Sequence, residues 1–370
     1  MALDASSFME LLSPLAPALF IPIAATANVG KNVSWLAASA SRAAIHNSFA
    51  RSDNLADVTA KAGSQSIAAS LVGTSLGVAL SSQLGGEWGP TTLATFATLS
   101  SIHLGCTYLS LKYVRLETLN SQRLDLVLEA FLNRRDASIT SSGESMEKND
   151  AKSRAAAADV SAYLATPAEV ADLESFVPTW PLRGSFHGPG LSDWLLLAPP
   201  LPYLAHTPEE LESFRAALQS SEDQSRHNGY VLSVHSRRLV NGKEEARIAL
   251  ALDAPPETRD VEQSFNESES TLRGVLHASI LRRELESQDI IVSTPGLISG
   301  PAAGRLSLTS DKGADQWIAR PDLVKDAALT ARSAEVDFFD ALERSEWKAD
   351  VLHVDNGLVA RAIRQPQLVQ

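Results

Sequence analysis

The chain has 370 residues, enough for two domains and a sizeable core, and carries 32 Lys+Arg against 44 Asp+Glu for a formal net charge of −12. That acidity argues against nucleic acid as a partner, because binding phosphates needs a basic surface. The single cysteine, Cys106, excludes an internal disulfide and a cysteine-rich zinc site, and it suits a reducing compartment.

The charge is unevenly spread. Residues 1–120 hold six basic and six acidic side chains, so residues 121–370 hold the other 26 basic and 38 acidic ones and all of the net charge. Three uncharged runs dominate the first part, at residues 11–30, 62–86 and 88–111. Each matches the roughly 20 residues that a helix needs to cross a bilayer. They are rich in Ala, Ser, Thr and Gly, and the first contains Pro14, Pro17 and Pro22. The stretch Gly73-Thr74-Ser75-Leu76-Gly77 is a small-xxx-small pattern suited to close helix packing. The expectation is a mainly α N-terminal domain with two or three membrane-like helices; the alternative is a bundle of buried helices in a soluble protein. Lys31, Arg42, Arg51 and Lys61 lie between runs one and two, and Lys112, Arg115, Arg123, Arg134 and Arg135 follow run three. Only Glu87 separates runs two and three, so these two form a hairpin with both ends on the positive, inner side and Trp88 at the far interface. The C-terminal part then faces the cytoplasm, or the stroma or matrix of an organelle. Asp4 and Glu10 occupy the place of a basic leader region, so no targeting segment is expected in these residues.

Leu116, Leu119, Leu126, Val127, Ala130 and Phe131 extend an amphipathic helix over residues 111–132. Residues 134–158 read as a polar linker. Residues 230–235 and 247–252 alternate as two strands joined across Asn241-Gly242, a hairpin signal. Helices are expected over 268–285 and 336–347, a long loop over 287–330, and a second hairpin across Asn356-Gly357. The domain plan is a helical, membrane-embedded domain at 1–133, a linker at 134–160 and a soluble α+β domain at 161–370.

Several motifs can be discounted. Gly73–Gly77 matches the G-x-S-x-G nucleophile elbow, but that motif needs a strand before it, and here it lies inside an apolar run, so Ser75 is read as helix packing. The eight histidines show no metal-ligand spacing; His103, inside a membrane-like run, reads as a hydrogen-bonded packing residue with a functional role as the alternative. The glycine-rich turn around His187 lacks the Lys-Ser/Thr ending of a phosphate loop, and the sequons at Asn32 and Asn266 lack a secretory context. The strongest feature is the polar island at residues 54–65 between two uncharged runs. Asp57, Lys61 and Gln65 fall at i, i+4 and i+8 and share one helix face. With Asn28, Lys31, Arg42, Asn54 and Ser64 they form the candidate binding set, against a structural network joining helices.

Five blocks, in order, carry a family resemblance. They are Met9-Glu10-Leu11-Leu12-Ser13-Pro14, Ala27-Asn28-Val29-Gly30-Lys31, Ser41-Arg42-Ala43-Ala44, the N-x-A-D-V-x-A-K-x-G-S-Q signature from Asn54 to Gln65, and Leu116-Glu117-Thr118-Leu119-Asn120-Ser121-Gln122-Arg123-Leu124. Over residues 3–132 the chain resembles the root UV-B sensitive (RUS) family, and more loosely over 228–363, at Leu276-His277-Ala278 and Trp347-Lys348-Ala349-Asp350. Ala62 stands where many members carry an acidic residue, which weakens a cation-binding role there. The family domain usually begins upstream of the first block, so the resemblance implies that its N-terminal part is missing here. It also implies a membrane-associated protein, plastid-located in several plant members, linked to root UV-B responses, seedling development, auxin transport and pyridoxal-phosphate homeostasis, with no catalytic activity and no cofactor of its own. The expected partners are the lipid bilayer and another RUS-family protein. A transport or scaffold role leads; a vitamer-binding module, or a soluble enzyme using Asp57 and Lys61 as an acid–base pair, are the alternatives.

Overall fold

The structure is a computed structural model, which describes residues 2–50, 54–84, 89–144, 160–175, 190–197, 199, 208–210, 212, 230–239, 242–252, 261–292 and 317–353. The chain divides into two compact units, Met1–Leu116 and Glu117–Gln370.

The first unit is helical. α1 spans Ala2–Leu11, α2 Phe20–Phe49, α3 Leu55–Leu84 and α4 Pro90–Lys112. The uncharged run at 11–30 is not one helix. Pro14 and Pro17 each open a short 3-10 turn, at Ser13–Leu15 and Pro17–Leu19, because proline supplies no N–H and clashes with the preceding turn. Pro22 is tolerated in the first turn of α2, where amide hydrogens lack helical partners anyway. Among the described residues one helix, α3, is long and apolar enough to cross a membrane. The expectation of two or three is thus reduced to one: α2 carries Lys31 and Arg42, and α4 is diluted by Thr, Ser and His. Many hydroxyls on these helices bond back to the carbonyl four residues earlier, as Ser34 does to Gly30, Ser75 to Leu71 and Thr98 to Ala94. That satisfies them without a neighbour. Ser75 sits in mid-helix with no strand before it, as its apolar setting implied.

The second unit builds the core. β1 spans Thr118–Asn120, α5 Ser121–Glu144, α6 Pro167–Leu173, β2 Leu195–Leu197, β3 Tyr230–Arg238, β4 Glu244–Leu252, α7 Val261–Ser287, β5 Ile291–Val292, β6 Ile318–Ala319, α8 Pro321–Glu343 and β7 Lys348–His353. The expected helix over 111–132 is broken: α4 ends at Lys112, β1 follows, and α5 starts afresh under an Asn120 cap whose Oδ1 accepts from the Arg123 amide at 2.8 Å. β1 pairs in parallel with β7, which places the 116–124 block beside Trp347-Lys348-Ala349. The boundary at Leu116 precedes the expected one at 133, because Leu124, Val127, Leu128 and Phe131 of α5 are buried with Phe338 of α8 and Leu276 and Leu281 of α7. α5 also continues to Glu144, into the stretch read as linker; residues 145–159 lie outside the described residues.

The expected hairpin is present as β3 and β4, antiparallel from Tyr230↔Leu252 to Arg238↔Glu244. Its turn uses Gly242 at φ +81°, a left-handed conformation that glycine adopts without strain. The sheet runs β2-β4-β3-β6, with β5 also on β4. The region read as a loop over 287–330 supplies β5, β6 and the first half of α8, whose Pro321 sits in its first turn. α8 ends at Glu343, so Trp347 is not helical; it is buried, and its indole donates to the Ala165 carbonyl at 2.8 Å. The hairpin expected across Asn356-Gly357 lies outside the described residues, as do Glu87, Trp88 and His187.

Candidate functional site

The first two of the quoted blocks, at residues 9–14 and 27–31, meet where α1 packs against α2. Ala27 is fully buried, and Gly30 lies so close to Ser6 that a Cβ there would stand 2.2 Å from the serine Oγ. One residue on, Lys31 Nζ pairs with Glu10 Oε2. The glutamate of the ELLSP block and the lysine of the next block are therefore partners in helix packing. α1 also touches α4, through His103 Nδ1 at 2.9 Å from Asp4 Oδ1 and through stacking of Phe8 on Phe96. His103 is thus hydrogen-bonded in helix packing, the reading its sequence favoured.

The polar island forms the start of α3. The Asn54 carbonyl accepts from the Asp57 and Val58 amides at 3.1 and 3.2 Å, opening the helix. Asp57 and Lys61 pair at 2.9 Å along one face, as their spacing predicts, with side chains 60% and 73% exposed. Ser64 Oγ donates to the Ala60 carbonyl at 3.0 Å, and Gln65 is exposed. The neighbouring Thr59 turns to His46 of α2, 3.4 Å away. On α2, Asn28 accepts from the Asn32 amide group at 2.9 Å, and Arg42 is exposed. The structure joins Asp57 to Lys61, but commits Lys31 to Glu10. An exposed pair of this kind contributes little stability.

The second unit holds polar groups that sequence reasoning missed. Arg123 and Glu174 form a buried two-point pair, at 3.1 and 2.9 Å, while Arg123 Nη1 donates to the Thr118 carbonyl. Tyr230 Oη lies 3.1 Å from His277 Nδ1, and His277 Nε2 lies 3.1 Å from the Val324 carbonyl. Burial pushes the Tyr230 phenol up to about 12 and holds the His277 imidazole below its ordinary value. Asp125 accepts from the Trp194 indole at 2.9 Å beside a partly open pocket of about 60 Å³, and burial raises its carboxyl. Among the described residues no three His, Cys, Asp or Glu side chains gather as a metal site would need.

The family model for the vitamin B6 photo-protection and homoeostasis domain matches residues 1–135. Protein root UVB sensitive 6 of Arabidopsis thaliana is 36% identical over 34% of this chain and 24% of its own length. Protein root UVB sensitive 3 of Arabidopsis thaliana is 34% identical over 35% of this chain and 29% of its own. RUS family member 1 of Dictyostelium discoideum is 35% identical over 34% and 24%. The chain therefore spans about a quarter of the length of these relatives. No solved structure matches it significantly. The family match ends inside α5, so its last residues belong to the core of the second unit. Over residues 1–135 the chain is similar to the root UV-B sensitive family.

Proposed function

We propose that the first unit is embedded in a membrane and that the protein acts there in transport or as a scaffold for a partner, another family member being the first choice, rather than as an enzyme. One observation carries this reading. Among its described residues the first unit buries a single apolar side chain, Ala27, while Ile67, Leu71, Val72, Leu76 and Val78 of α3 point outward and are more than half exposed. A unit of this size in water would bury such side chains, since each contributes about 1.5–3 kcal/mol on leaving water. A lipid environment supplies the missing cover, and the back-bonded hydroxyls suit it. The exposure of Asp57 and Lys61 supports a non-catalytic reading, because an acid–base pair gains its power from enclosure. The acidic excess beyond residue 120 supports a partner other than nucleic acid. One relative is named chloroplastic, which supports a plastid membrane as the place to look.

The test is membrane retention of the full chain through alkaline carbonate washing, compared with Leu71→Lys and Leu76→Lys. Each lysine costs about 2.5–3.5 kcal/mol at the centre of a spanning helix, so retention should fall in both. Release of the unmodified chain as folded protein would refute the proposal. The family description favours a second reading, in which the Asp57/Lys61 face binds a B6 vitamer. Saturable vitamer binding lost in Lys61→Ala supports it, and no binding of any vitamer rejects it.

A further inference from the structure

Contacts around α1 set the direction of its neighbours. α1 and α2 form a hairpin across two short turns, and the less exposed positions of α2, from residue 23 to residue 34, match the length of α1. Past the contact between Gly30 and Ser6, α2 therefore runs beyond the N-terminal end of α1. α4 runs the same way, since Phe96 meets Phe8 and, seven residues on, His103 meets Asp4. α3 begins beside the end of α2, where Thr59 lies 3.4 Å from His46.

These directions gather cations from three helices at one level. Arg42 stands twelve residues beyond Gly30, about 18 Å along the axis at 1.5 Å per residue. Lys112 stands nine residues beyond His103, and with the half turn from Ser6 to Asp4 it reaches about 17 Å. Lys61 is half a turn from the contact of Thr59 with His46, and His46 is about one turn beyond Arg42. Arg115 follows Lys112 in the segment that leaves α4. Lys31 is set apart from this group, near the level of Ser6 and paired with Glu10. Next to the cations each helix exposes apolar side chains instead, Leu36 on α2, Ile67 on α3 and Leu109 on α4. Tyr113, 83% exposed beside Lys112, is the residue type that sits where a bilayer meets water. Arg42 and Arg115 are exposed, and among the described residues neither holds a hydrogen-bond or ion-pair partner.

We propose that this rim docks on the headgroups of anionic phospholipids, with Arg42 and Arg115 as the principal donors to phosphate and Lys61 beside them. The proposal rests on the membrane reading and adds the lipid class. A guanidinium fits a phosphate through paired N–H groups, and each such charge gains about fivefold in local affinity at an anionic surface. The chain as a whole is at −12, so its net charge would favour the opposite choice of lipid.

The full chain is reconstituted into phosphatidylcholine bilayers with a trace of spin-labelled phosphatidylglycerol or, separately, spin-labelled phosphatidylcholine. Electron paramagnetic resonance reads the motionally restricted fraction of each. That fraction averages the whole lipid shell, so the relative association of phosphatidylglycerol should exceed that of phosphatidylcholine by about twofold. Arg42→Gln/Arg115→Gln should bring the two to equality with the phosphatidylcholine fraction kept. Arg344→Gln, which removes an exposed charge of the second unit, should change nothing. Equal restriction of both lipids by the unmodified chain overturns the rim and leaves the membrane reading standing. Restriction of neither removes the membrane reading and the rim with it. A preference that survives the double replacement overturns the proposal, as does an equal loss in Arg344→Gln, which would assign the preference to total charge. If the double variant loses the phosphatidylcholine fraction as well, salt decides: a preference of the unmodified chain that is unchanged at about 1 M sodium chloride overturns the rim.

Discussion

The pair between Arg123 and Glu174 allows the sharpest energetic prediction. The two side chains are 9% and 7% exposed, and they tie the start of α5 to the chain leaving α6. Glu174→Ala leaves a guanidinium buried with the Thr118 carbonyl as the acceptor still facing Nη1, at 2.9 Å. Losing one member of a buried pair typically costs about 3–5 kcal/mol, because the survivor keeps its desolvation penalty. At about 1.4 kcal/mol per decade that is a factor of hundreds to thousands in the folding equilibrium. The double replacement Arg123→Met/Glu174→Leu removes both charges and should recover most of the loss. Urea denaturation of the full chain, followed by near-ultraviolet circular dichroism, measures both. A cost below about 1 kcal/mol for Glu174→Ala, the value of an exposed pair, would refute the reasoning.

Other predictions are as direct. Burial lowers the His277 imidazole from its ordinary 6.5, so its contribution to stability is present above that value and is lost as pH falls through the folded-state value. Denaturation midpoints should drop below about pH 6.5, and His277→Asn should flatten that slope; an unchanged slope counts against a neutral buried imidazole. Gly30→Ala should cost about 1 kcal/mol, the worth of the Ser6 hydrogen bond to Ala2 that must break as Oγ turns away, and Ser6→Ala in the same chain should suppress the extra cost; thermal melts of all three variants decide. A fragment beginning at Glu117 should be folded and protease-resistant, whereas one beginning at residue 150 lacks Leu124, Val127, Leu128 and Phe131 and should not be. Equal resistance of the two fragments would contradict the core described here.

What could be read from sequence was mostly local. The β3–β4 hairpin was legible because alternation and an Asn-Gly turn are short-range signals. The Asp57–Lys61 pair followed from i, i+4 spacing alone. The Glu10–Lys31 pair was not legible, since it needs α1 to fold back across α2 at Gly30. The break between Lys112 and Thr118 was hidden because apolar residues recur at helical spacing on both sides of it. What selects a strand there is pairing with β7, some 230 residues away. Pro14 and Pro17 were read inside one apolar run, although each is a helix stop in its own right. The buried face of Ser233, His235 and Arg247 runs against the alternation rule, which marks polar positions in a strand as solvated.

Site-directed spin labels at Ile67, Leu71 and Leu76, in a Cys106→Ser background reconstituted into bilayers, test the central claim most directly. The account predicts that apolar oxygen relaxes these labels far more than a water-soluble nickel complex does, while a label at Lys61 shows the reverse. Equal access of the nickel complex to Leu71 and Lys61 would place α3 in water and contradict it.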